Sequence, residues 1–259
     1  MNLPDILAQA SYYYGNDFYA ASPGMYSSMT LLGAGILLLV MLLGGAVQMG
    51  LKNAFNRYAR EQAPLTGAEV ARLMLNQNGL GDVQVISTPG RLTDHYNPMD
   101  RTVNLSESVY NEASVAAMAV AAHECGHAIQ HARAYPWLGL RSTLVPVVNL
   151  GSRLGQIILM LGLFLLAGSN NTTVAWIGLA LYALTTVFAL VTLPVEFDAS
   201  RRALAWLEQC GLADRAMHHQ AGTALRWAAM TYVAAALSSL AMLLYYALII
   251  LSRASHNRQ

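Results

Sequence analysis

The chain has 259 residues, 55% of them hydrophobic and only 11% charged, with a mean hydropathy of +0.38 and a net charge of +1. Soluble domains carry about a quarter charged residues, so this composition points to contact with lipid. It offers no basic field for nucleic acid, and two cysteines, Cys125 and Cys210, are too few for a disulfide framework.

Residues 1–24 contain no Lys or Arg and so lack the basic start of a secretory signal. Their aromatics (Tyr12, Tyr13, Tyr14, Phe18, Tyr19) suit an interfacial segment or a cap packed over a helix bundle. An apolar run over 25–50 is long enough to cross a bilayer, which takes about 18 residues or more. A polar segment, 51–143, follows. In it Thr66-Gly67-Ala68-Glu69 has the form of a capping box, predicting a helix to about Gln77 that Gly79 and Gly81 close. Val83–Ser87 reads as a short strand, and Arg91–Tyr96 and Arg101–Leu105 as a hairpin around Asn97-Pro98-Met99-Asp100. Ser106 and Ser114 stand as N-caps of two helices, the second running from about Val115 to Ala134. Spans at 144–167 and 173–193 form a helical hairpin over 144–193, with Arg153 near enough to one end to snorkel. A second polar segment over 194–226, a fourth span over 227–251 and a tail over 252–259 complete the chain.

Four spans put both polar segments on one side of the membrane. Counting Arg153, that side carries Lys52 and twelve arginines, against Arg253 and Arg258 opposite. The excess of basic residues on cytoplasmic loops then predicts an active face in the cytoplasm and a multi-pass protein of the inner membrane.

The helix over 115–134 contains His123-Glu124-Cys125-Gly126-His127. Side chains four apart share a helix face, so both imidazoles can reach one metal ion. Zinc takes imidazole nitrogen and lowers the pKa of water toward about 7, where Glu124 can act as general base. With seven His and seven Glu in the chain, the pattern is expected by chance roughly 0.005 times. A catalytic zinc normally has three protein ligands. His131 continues the row, but on an unbroken helix it stands about 12 Å from His123 along the axis, too far for one ion. Glu196, at the end of the third span, is the better candidate, with Asp198 its competitor or a hydrogen-bond partner of a ligand histidine. Glu196 could instead pair with Arg201 or Arg202. For the carbonyl oxygen of a peptide in transit, His95, Tyr96, His218 and His219 are candidates, each equally readable as a turn or surface residue. The strand over 101–105 could offer its edge to an extended peptide.

HECGHAIQHA at 123–132, LTDHYNP at 92–98, LSESVY at 105–110 and EFDASRRAL at 196–204 together resemble the YugP-type membrane zinc peptidases, over roughly residues 50–250. A more distant similarity is to the HtpX-like peptidases, whose third ligand is the Glu of an E-x-x-A-D motif. Glu196 and Ala199 match that motif, whereas Ser200 stands in place of its Asp. The resemblance implies a mainly α integral membrane protein with about four transmembrane helices and a gluzincin-like zinc peptidase core holding a small β-sheet. It implies Glu196 as third ligand, Zn2+ as cofactor, and proteolysis as the activity. The expected partners are a peptide or membrane-protein substrate and the lipid bilayer, with no nucleic acid; a larger membrane assembly stays open. The alternative is a membrane scaffold with a structural zinc completed by Cys125, His131 or Asp198. A transporter is opposed by the scarcity of ionisable residues within the spans.

Overall fold

The computed structural model describes residues 23–169 and 172–256. The interfacial segment expected at 1–24 lies outside the described residues, save Pro23 and Gly24 at the start of the first helix. The elements, in order, are α1 (Pro23–Tyr58), α2 (Gly67–Gln77), β1 (Gln84–Thr88), β2 (His95–Asn97), β3 (Thr102–Ser106), α3 (Glu107–Asn111), α4 (Val115–Ala132), α5 (Pro136–Ser169), α6 (Thr173–Gln209) and α7 (Arg215–His256). Contacts divide the chain into one unit ending at Leu42 and a second from Leu43 to Gln259. In the first unit the α1 side chains Leu31, Leu37, Leu38 and Met41 are exposed, as suits a helix solvated by lipid.

The remaining description concerns the second unit. Helices α1, α5, α6 and α7 are the four described helices long and apolar enough to cross a membrane. They run beyond the apolar stretches that announce them, because the flanking polar residues are themselves helix formers. Arg153 accordingly lies in the middle of α5, exposed, and not near its end. Close packing of α5 on α6 depends on glycine: a Cβ at Gly162 would come within 2.3 Å of the Ala175 backbone nitrogen, and one at Gly178 within 2.3 Å of that of Leu159. Small residues let helix backbones approach where lipid gives no hydrophobic incentive to pack.

Outside these helices sits a core built on α4. Its alanines from Ala116 to Ala128 and Val115, Met118 and Ile129 are buried, against Val70 and Met74 of α2, Val103 and Leu105 of β3, Ala203 and Leu207 of α6, and Ala224 and Leu225 of α7. A helix apolar on every face belongs inside. The α2 capping box is present in both directions, Thr66 Oγ1 accepting from Glu69 N and Glu69 Oε2 from Thr66 N. Ser114 caps α4 by accepting from Ala117 N at 3.2 Å. Ser106 occupies the N-cap position of α3 without capping it; its hydroxyl turns instead to Asp94.

The sheet order is β1-β3-β2, with β1 parallel and β2 antiparallel to β3. The expected hairpin exists, but its first strand shortens to His95–Asn97. The strand expected to present an edge, β3, is central and paired on both sides, every residue of it buried. The free edge beside α4 belongs to β2.

Candidate metal centre

Two helices bring the candidate ligands together. His123 and His127 project from α4 with ring centroids 4.8 Å apart, and α6 presents Glu196 to them. One ligand atom from each of the three lies within 4.8 Å of the others. Glu196 Oε2 is 3.3 Å from His123 Nε2 and 3.6 Å from His127 Nε2. Its other oxygen is 3.4 Å from Arg141 Nη1 of α5, and Tyr232 of α7 stands against the same carboxylate. Gly126 makes the approach of α4 to α6 feasible, since a Cβ there would lie 2.7 Å from the Ala199 carbonyl oxygen.

These residues fit a cation. Glu196 Oε2 is buried without a hydrogen-bond partner, and a buried carboxylate oxygen is costly to leave unpaired. Burial disfavours a charged imidazole at His127, yet the Glu196 and Glu124 carboxylates beside it outweigh that and raise its pKa. Two imidazoles and a carboxylate are the donor set that zinc accepts in catalytic sites.

Around this group lies a cavity of about 660 Å³ whose walls come from the β2 hairpin (Tyr96, Pro98, Met99), α4, α5 (Leu138, Val145) and α7 (Tyr232). Glu124 faces it, its Oε2 accepting from the Tyr96 backbone N–H at 3.0 Å. The Tyr96 hydroxyl is 2.9 Å from His131 Nδ1, and desolvation raises its pKa, so it stays a neutral donor. His95, also on the cavity, is 2.7 Å from the Thr93 carbonyl oxygen through Nδ1.

Some candidates are not part of this group. Asp198 binds Arg201, Arg202 and Gln130, not a histidine, so the arginines that could have paired with Glu196 pair with Asp198. His218 is directed to the Leu204 carbonyl, and neither it nor His219 lines the cavity. Cys125 is fully buried against the Ala71 carbonyl, and burial pushes its thiol well above the ordinary range. Four neighbours of the site were given no role by the sequence: Gln130 and Ser200, which lie inside quoted motifs, and Arg141 and Tyr232, which lie in none. Gln130 is 3.0 Å from His127 Nδ1, and Ser200 Oγ is 3.1 Å from His123 Nδ1. Ser200 thus occupies the place beside a histidine that the aligned Asp raised as a question; an i+4 offset from Glu196 along α6 could have flagged it.

Four long apolar helices and a His-His-Glu group formed by an HExxH helix with Glu196 of α6 define a membrane protein of the zinc-peptidase class. Residues 34–251 match the family described as "Putative neutral zinc metallopeptidase", and the chain belongs to that family. It is 42% identical over 212 residues to "Putative membrane protease YugP" of Bacillus subtilis (strain 168), covering 81% of this chain and 92% of that protein. No solved structure matches it.

Proposed function

We propose that this protein is a zinc-dependent membrane endopeptidase that hydrolyses peptide bonds of membrane or membrane-adjacent proteins. The observation that carries the reading is the unpartnered, buried Glu196 Oε2 facing Nε2 of both His123 and His127, with Glu124 beside them on an open cavity. His123, His127 and Glu196 would hold the ion. Zinc, when bound, supplies Lewis acidity that polarises the scissile carbonyl and acidifies the attacking water. Glu124 takes the proton from that water and returns it to the leaving amine. The Tyr96 amide keeps the Glu124 carboxylate turned into the cavity. Tyr96 and His131, hydrogen-bonded to each other, and His95 are the groups on the cavity wall suited to the carbonyl oxygen.

A peptide would lie extended along the free edge of β2, adding a strand next to Glu124. Part of the cavity wall belongs to α5 and α7, helices apolar enough to cross a membrane, which favours substrates anchored in the same bilayer. The basic residues bordering these helices support an inner-membrane location with the site toward the cytoplasm.

The scaffold alternative needs a fourth protein ligand in place of an open position. Cys125, His131 and Asp198 would be its source, and each is engaged elsewhere. The deciding experiment uses purified full-length protein with a peptide library or membrane-protein substrates. Glu124→Gln should retain zinc and lose about 10²–10⁴-fold in turnover. A variant as active as the wild type, or a wild type that binds no zinc, overturns the reading.

A further inference from the structure

The hydrogen bonds around Gln130 allow its amide one orientation. The side chain is fully buried, and Nε2 sits 2.8 Å from the Val195 carbonyl oxygen and 2.9 Å from Asp198 Oδ2. Both partners on α6 accept, and Asp198 is paired with the guanidinium groups of Arg201 and Arg202. The amide nitrogen must therefore face α6, which turns the amide oxygen to His127 Nδ1, 3.0 Å away. An amide oxygen has no proton to give, so His127 carries a proton on Nδ1, and Nε2, beside Glu196, is the nitrogen left for an ion. His123 has no such constraint, because its neighbour, the Ser200 hydroxyl at 3.1 Å, can donate or accept.

We propose that Gln130 is a positioning residue: through it, the Asp198–Arg201–Arg202 group on α6 holds a proton on His127 Nδ1 before any metal arrives, so that Nε2 is the nitrogen offered to it, whereas the Ser200 hydroxyl sets no such condition on His123 Nδ1. The inference rests on the zinc reading above. It also gives Asp198 a role at one remove from the histidine, with the amide carrying its influence across the gap between the helices.

The test uses full-length protein in detergent and zinc ion alone, by chelator competition, together with nitrogen-15 NMR of histidine-labelled, metal-free protein. His127→Gln identifies the His127 signals. Gln130→Met, similar in length but without hydrogen bonds, should weaken zinc binding about 10–100-fold and release the proton that the wild-type spectrum shows held on His127 Nδ1. Gln130→Glu alone, which sets a second carboxylate against Asp198, should weaken it too. Adding Asp198→Asn to Gln130→Glu restores a donor facing an acceptor at position 198, while the Val195 carbonyl stays opposed, and should recover part of the affinity, a rescue that bulk destabilisation does not produce. Wild-type affinity in Gln130→Met, a His127 Nδ1 proton unchanged in that variant, or no recovery in the double variant overturns the proposal. Should Gln130→Met not fold, the paired substitutions and the wild-type spectrum still decide it. A wild type that binds no zinc sinks the metal reading itself, while the metal-free spectrum still tests the proton on His127 Nδ1.

Discussion

Gly126 and Ala199 determine how near the two ligand-bearing helices come. A Cβ on Gly126 would also lie 3.1 Å from the Ala199 Cα, backbone that cannot yield as a flexible side chain would. Gly126→Ala should therefore cost about 1–3 kcal/mol of stability and weaken zinc binding by parting the histidines from Glu196, read by thermal unfolding and zinc titration. Glu196→Ala should abolish stoichiometric zinc, whereas Asp198→Ala should keep the ion with lower affinity; equal loss in both would contradict the ligand set. The histidine pair was legible because four residues is one helical turn, a local fact. Gln130 was not legible in that way. Its value comes from Val195 and Asp198, 65 and 68 residues away, and only the packing of α4 on α6 brings them together. Arg141 and Tyr232 escaped notice for the same reason, since an arginine or tyrosine on a long helix says nothing of the carboxylate it will meet.

At the scale of elements, local chemistry was readable where it closes on itself. Thr66 and Glu69 satisfy each other's backbone amides within one turn, so the start of α2 needs no distant partner. Hydrogen bonds from the Thr66 backbone and hydroxyl hold the Glu69 carboxyl below its ordinary 4.5. The box is thus at full strength above pH 4.5 and fades as pH falls through the lower folded value. Thr66→Ala should cost about 1 kcal/mol near neutrality, and the difference from wild type should shrink in acid, as followed by unfolding at a series of pH values. Ser106 has the same residue type at the same kind of position yet does not cap. Asp94, brought over by the strands, competes for its hydroxyl and backbone N–H, the latter at 2.7 Å. Strand order failed to show in the sequence for a related reason: alternation fixes which face is buried, not which neighbour lies on each side.

For the molecule as a whole, hydropathy was enough to find the four long helices, because backbone in lipid has little alternative to helix. It could not fix their ends, which are set by where the α4 core takes hold of them. The proposed cytoplasmic orientation predicts that Ser87→Cys, exposed on β1, in a Cys210→Ser background, is labelled by an impermeant maleimide in inside-out vesicles and protected in right-side-out ones. The reverse pattern would invert the topology.

Arg153 and Arg141 share α5, twelve positions and about 18 Å apart along its axis. Arg141 touches the ligand carboxylate, while an exposed Arg153 resists sinking into hydrocarbon. The bilayer surface is thereby held at or below the level of Arg153, and the site stands about 18 Å or more clear of it. For a neighbour embedded in the same membrane, that distance corresponds to at least about five residues of extended chain between its last buried position and the bond that is cut. The helix would then serve as a ruler, choosing the cleavage point by height above the lipid as well as by side chain.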